Sequence, residues 1–181
     1  LYLCNNGGSI NVCLPLSSSI TDEQMKIIRR GSAELIDVEI VEVNLSDFYS
    51  IRTSNEFIFD WYAETAREKY KLCLRHDHDY ILGLIGLSDY PGEFRLHINL
   101  LEVSKLNVGK SKEIDNITGC LIAFACALSF KKGYGGFVSL KPKTVLSLLY
   151  QEKYGFRPFG NLLAVELSTS KNLIDKYIGD E

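Results

Sequence analysis

The chain has 181 residues, of which 46% are hydrophobic, enough apolar side chain for one domain with a sizeable core over residues 1–181. Its net charge is −3 and its lysines are scattered, so no broad basic face is expected to neutralise nucleic-acid phosphates. Cys4, Cys13, Cys73, Cys120 and Cys126 are odd in number without C-x-x-C spacing, which argues against a disulfide framework and against a structural zinc site. With no apolar run of membrane-spanning length, and with residues 1–16 lacking the positive residue of a signal peptide, a cytoplasmic protein with reduced thiols is expected.

Thr21 and Gln24 form a capping-box pattern, and Arg29, Arg30 and Gly31 are exit signals, so a helix is predicted over residues 21–31. Acidic and β-branched residues alternate over 34–45 with a phase change at Ile40-Val41, predicting a strand with a bulge. Phe57, Trp61, Tyr62 and Ala66 recur at helical intervals opposite Glu64 and Arg67, predicting an amphipathic helix over 55–69. Residues 70–75, 80–88 and 94–103 read as an antiparallel three-strand meander, broken by His76-Asp77-His78-Asp79 and by Asp89-Tyr90-Pro91-Gly92-Glu93. A polar loop over 104–116 precedes an apolar run at 117–130, too long for a strand and read as a buried helix. A short strand at 137–140, a helix at 143–154 closed by Gly155, a last strand at 161–167 and a polar tail complete the chain.

This order of elements, together with four stretches of sequence, resembles the GNAT (acetyl-CoA-dependent N-acetyltransferase) superfamily over roughly residues 55–167. The stretches are Asn107-Val108-Gly109-Lys110-Ser111-Lys112, Gly119-Cys120-Leu121-Ile122-Ala123-Phe124-Ala125-Cys126, Lys131-Lys132-Gly133-Tyr134-Gly135-Gly136-Phe137-Val138 and Leu149-Tyr150-Gln151-Glu152-Lys153-Tyr154-Gly155-Phe156. The resemblance implies an α/β (α+β) fold: a mixed, mostly antiparallel, twisted sheet flanked by helices, its fourth and fifth strands splayed to hold acyl-CoA. The family's phosphate loop begins with Arg or Gln and carries an early Gly, whereas Glu113-Ile114-Asp115-Asn116-Ile117-Thr118-Gly119 lacks both, so the loop is degenerate.

Acetyl-CoA is the co-substrate that the resemblance implies, with a primary amine of a small molecule or protein as acceptor and direct attack in a ternary complex. Leu100, Leu101 and Val103 are its expected contacts along the fourth strand. Asn107, Gly109, Lys110 and Lys112 are those of the loop, and Ile117, Thr118, Gly119 and Cys120 those of the helix start. Glu102 is the expected general base, with a solvated strand-end carboxylate as its alternative. Tyr150 is the expected acid, with a packed aromatic as its alternative. His76 and His78 read as hairpin rather than metal ligands, and no metal is expected. His97 reads as a satisfied strand histidine, and Cys120 and Cys126 as small hydrophobes. Phe57, Trp61 and Tyr62 line either an acceptor groove or a core. Neither nucleic acid nor a membrane is an expected partner, and a homodimer is compatible with the family. A non-catalytic GNAT-like binding module is the alternative function, motivated by the degenerate loop.

Overall fold

The computed structural model describes residues 25–32 and 34–179. Residues 21–24 of the predicted first helix lie outside them, and the rest of that helix is absent: the chain is extended from Met25, with β1 at Ile28–Arg29. Met25 and Ile27 are buried and Lys26 between them is not, a period of two that belongs to extended chain and overrides the capping signals. β2 (Val38–Glu42) falls inside its predicted strand.

α1 (Leu45–Thr53) follows, where the sequence reading has no helix. Asn44 starts it by accepting from the Ser46 and Asp47 N–H groups at 2.9 and 3.1 Å, while Asp47 accepts from the Asn44 N–H at 2.8 Å, a reciprocal cap that satisfies the helix's first donors. Residues 55–67, predicted as a helix, form an irregular loop. Several of its N–H groups go to side chains: Tyr62 and Ala63 donate to Asp60, and Ala66 to Glu64, so that a single helical bond, from the Glu64 N–H to the Asp60 carbonyl at 3.1 Å, is not propagated. Such local bonds compete with helix.

β3 (Glu68–Leu74), β4 (Asp77–Tyr90) and β5 (Arg95–Val103) form the expected meander. The following loop contains a 3-10 turn at Lys105–Asn107 and β6 (Ile114–Asp115), which pairs antiparallel with β1. α2 (Ile117–Lys131) then crosses to β7 (Val138–Leu140), which lies parallel to β5, the connection that parallel neighbours require. α3 (Ser147–Tyr154) closes on Gly155 at φ 72, a left-handed cap that glycine adopts without strain. β8 (Arg157–Phe159) and β9 (Leu162–Val165) make a hairpin. The tail read as polar forms α4 (Leu167–Tyr177), which buries Ser170, Leu173 and Tyr177 along one face.

The large sheet runs β2-β3-β4-β5-β7-β9-β8. Only the β5–β7 contact is parallel, so the sheet is mixed and mostly antiparallel as expected. One face carries the main core, where Leu82, Ile85, Leu87, Leu96 and Ile98 meet α2 and α4; the other carries a smaller cluster of Ile51, Trp61, Ile81 and Leu84 beneath α1 and the 55–67 loop. A Cβ on Gly83 would stand 2.9 Å from Ile117 Cγ2 and one on Gly86 2.8 Å from Ala66 Cβ, so these two glycines let α2 and the loop settle directly on β4.

Candidate active site

The fourth and fifth strands of the large sheet, β5 and β7, part soon after they meet. Leu96 pairs with Val138, His97 with Ser139 and Ile98 with Leu140, after which β5 runs on to Val103 without β7. A bulge sits at the parting, because Leu87 of β4 pairs with Ile98 but Gly86 pairs with Leu100, leaving Asn99 over. Before the bulge the Leu96 N–H reaches the Phe137 carbonyl at 3.1 Å; beyond it the Ser104 N–H reaches Leu82 at 3.0 Å. That second bond sets the antiparallel phase: Leu100 and Glu102 exchange main-chain bonds with β4, while Leu101 and Val103 direct theirs into the gap.

A cavity of about 260 Å³ lies at the α2 end of this gap. Of the residues expected to bind the co-substrate, Val103, Asn107, Gly109, Lys112, Ile117 and Thr118 line it. Lys153 and Tyr154 of α3 complete the wall and were not expected there; α3 places Lys153 one turn on from Tyr150, a spacing that shares a helix face. Lys112 is paired with Asp115 at 2.5 Å, and Asp115 is held below the usual carboxylate range chiefly by that bond. Burial, then the nearby Lys112 charge, pushes the Lys153 ammonium pKa down, with Lys176 adding to the effect.

The remaining expected contacts stand elsewhere. Lys110 is exposed and its carbonyl accepts from Arg30 at 2.8 Å. Gly119 is where α4 touches α2: a Cβ there would lie 2.4 Å from the Tyr177 ring, so helix packing accounts for the missing side chain. Cys120 is fully buried with its thiol on the Tyr177 carbonyl at 3.4 Å, and burial pushes its pKa up to about 12. Leu100 packs against the Ile51–Trp61 cluster, and Leu101 against the main core.

On the α1 face, Glu102 is 8% exposed and does not stand free. Its carboxylate accepts from the Ile58 N–H at 2.5 Å, the Phe59 N–H at 3.4 Å and the Trp61 indole N–H at 2.7 Å. It thereby holds one wall of a groove of about 340 Å³ in which Phe48, Arg52, Ile58, Phe59 and Tyr62 surround Trp61. Of the three aromatics expected at this position, Trp61 is core, Phe57 is partly covered, and Tyr62 is 77% exposed. The Lys143 ammonium lies 4.9 Å over the Phe59 ring. Tyr150 packs on Tyr154 and Phe156 with ring centroids 6.0 and 5.6 Å apart, and burial raises its phenol pKa.

Sequence reasoning left His97 out. The structure sets it against Ser139 across the β5–β7 ladder, with His97 Nδ1 2.8 Å from Ser139 Oγ and Arg95 donating to the same hydroxyl at 2.5 Å. Its strand position carried no signal, since the partner lies on another strand.

No family model matches this sequence and no curated protein matches it. Solved structures do match it in fold. An acetyltransferase of the GNAT family from Staphylococcus aureus Mu50 aligns with a TM-score of 0.51 at 13% identity, over 72% of this chain and 99% of that one. AtaTR bound with AcCoA aligns with a TM-score of 0.53 at 15% identity, over 76% and 98% of the two chains. AtaT complexed with acetyl-methionyl-tRNAfMet aligns with a TM-score of 0.53 at 13% identity, over 76% and 99%. A tRNA in the last complex corrects the charge-based argument against nucleic acid: a fold of this kind meets RNA, so net charge alone does not exclude it. The parting of β5 from β7, the bulge beside it and these alignments agree: the chain has the fold of the GNAT acetyltransferases.

Proposed function

We propose that the protein is an acyl-CoA-dependent N-acyltransferase that passes an acetyl group to a primary amine by direct attack. The observation that carries this reading is the free main-chain edge of Leu101 and Val103 in the β5–β7 gap, opening on a cavity walled by the first turn of α2. Leu101 and Val103 would bond the amides of the pantetheine arm. The first-turn N–H groups of Ile117 and Thr118, with the Lys112 and Lys153 ammonium groups, would face the phosphates. Two cations on one cavity wall, one of them disfavoured in its charged form, fit an anion; the Asp115 carboxylate is the feature that opposes it.

The thioester supplies an activated acyl carbon, and the chain's own residues orient it and manage protons. Tyr150, kept protonated by burial, would donate to the departing thiolate and regain a proton from water, to which the attacking amine loses its own. We assign Glu102 to holding the groove wall, since its oxygens already accept from three N–H groups, and not to taking the amine's proton as the sequence reading has it. The amine is presented by a small molecule, a protein or an aminoacylated RNA, the last admitted by the AtaT complex.

A second reading, a binding module without turnover, is favoured by one observation: the degenerate Glu113–Asp115 stretch is paired with β1, with the Arg30 N–H on the Glu113 carbonyl at 2.7 Å, and is not an open main-chain cradle. Isothermal titration with acetyl-CoA and CoA separates the two. Micromolar binding that weakens in Lys112→Gln and Lys153→Gln supports the enzyme, and no binding at millimolar ligand leaves the module.

A further inference from the structure

His97 belongs to a bonded polar set, with buried Arg95 and Ser139, that the reaction above does not use. Leu96 and Ile98 face the main core, so His97 faces the other side of the sheet, the side on which Leu100 packs beneath Trp61 and Glu102 holds the groove. It occupies the pair just before the last one joining β5 to β7. The 55–67 loop covers this face as far as Gly86 and its partner Leu100, where Ala66 and Trp61 lie against Gly86. The next β4–β5 position on this face, Ser88 paired with His97, keeps part of its surface exposed.

The bonding around the ring decides its tautomer. Arg95 Nη1, which can only donate, lies 2.5 Å from Ser139 Oγ and 3.3 Å from His97 Nδ1. Ser139 is fully buried, and its hydroxyl, already accepting from Arg95, has one acceptor partner among the described residues, His97 Nδ1 at 2.8 Å. A buried hydroxyl left without an acceptor is costly, so the hydroxyl proton points at Nδ1. Arg95 is itself fixed: Nε and Nη2 donate to Glu93 at 2.9 and 2.7 Å, and its guanidinium lies 4.5 Å over the Tyr90 ring.

We infer that Arg95 and Ser139 lock the His97 ring with its proton on Nε2, and that this N–H is a hydrogen-bond donor for an oxygen of the acceptor substrate, beside the amine to be acylated. The acceptor role rests on the acyltransfer reading; the lock does not. The groups facing the ring are Ser139 from β7, Tyr90 from β4, and Arg95 and Glu93 from its own strand and the turn before it. Burial and Arg95 hold the ring's pKa below the usual 6.5 against the opposing effect of Glu93, so it stays neutral at neutral pH. Proton abstraction by His97 is closed off, because its lone pair faces a guanidinium and a hydroxyl proton. An acceptor with an oxygen next to its amine, such as an amino acid amide or an aminoacyl ester, is the class that such a donor selects.

The chain has three histidines, so the ring nitrogens can be resolved by long-range proton–nitrogen correlation on the labelled protein. His97 is expected to show a protonated Nε2 and a bare Nδ1 at neutral pH, and Ser139→Ala is expected to release a mixture of tautomers. A protonated Nδ1 in the native protein overturns the lock. The acceptor role is read by steady-state kinetics with an amino acid amide and with a plain alkylamine. His97→Phe should raise KM for the amide roughly ten-fold, the loss of one hydrogen bond, with kcat little changed and the alkylamine unaffected, and His97→Gln should recover part of the loss. Equal losses with both amines, or a loss confined to kcat, overturn it. Absence of turnover with every amine removes the acyltransfer reading and the acceptor role together, while the nitrogen spectra still decide the lock.

Discussion

The two faces of the large sheet are built from different chemistry. Against α2 and α4 the buried side chains are aliphatic, aromatic or thiol, and Ser129 and Ser170, buried on these helices, carry no charge. All four buried charged side chains of the described residues, Asp47, Lys71, Arg95 and Glu102, lie on the α1 face, where the apolar cluster is small. Each is engaged: Lys71 with Asp47 at 2.6 Å and with the His78 carbonyl at 2.9 Å, Glu102 with three N–H groups, and Arg95 with Glu93 and Ser139. One face supplies stability by removing apolar area from water, and the other uses bonded charge to hold side chains at set positions. The groove around Trp61 and His97 lie on the second.

The largest test of that contrast is Lys71→Met, which strands the Asp47 carboxylate in the interior. It should lower stability by about 3–5 kcal/mol in urea unfolding, and a loss below about 1 kcal/mol would mean that water reaches the pair. On the apolar face, Gly119→Ala drives a methyl into the Tyr177 ring and should cost about 1–3 kcal/mol by overpacking, with α4 displaced. If it instead abolished CoA binding at unchanged stability, the expected cofactor role of Gly119 would stand over the packing role. Glu102→Gln should cost about 1–3 kcal/mol, because a neutral amide replaces the charged acceptor of three N–H groups. Trp61, the only tryptophan, should then shift its emission to the red, and the pH–rate profile should keep its shape; a lost limb in that profile would return Glu102 to the base role.

The smallest expected effect is a slope in stability with pH. The folded pKa of His97 lies below 6.5, so as pH falls the unfolded chain takes up the proton first. Its contribution is therefore complete above pH 6.5 and is lost as pH falls from there to the folded value. Comparing urea midpoints of the native protein and His97→Gln above and below pH 6.5 isolates this term; identical slopes would place His97 in solvent.

Short-range pattern carried much of the architecture. Alternation across residues 70–103 foretold the meander, the apolar run at 117–130 the buried helix, and Gly155 the end of α3. The 55–69 stretch misled because Phe57 and Trp61 are spaced as on a helix, while Trp61 and the Ile58 and Phe59 N–H groups are held by the Glu102 carboxylate, 41 residues from Trp61. α4 escaped notice because its buried positions, Ser170, Leu173 and Tyr177, include only one strong hydrophobe. The candidate site was half legible: Val103, Asn107, Gly109, Lys112, Ile117 and Thr118 do share one cavity, but Lys153 and Tyr154 reach it from α3.

By itself the sequence determined which segments alternate with a period of two, which run is apolar enough to be buried on all sides, and that Gly155 ends α3, because each is a contest among neighbours in the chain. Only the tertiary structure decided that Glu102 is a clamp, that Gly119 is a helix contact and that His97 meets Ser139 and Arg95. Those roles depend on pairings between separate strands and helices, and a titratable side chain acquires its chemistry from the partners and the burial that such pairings impose.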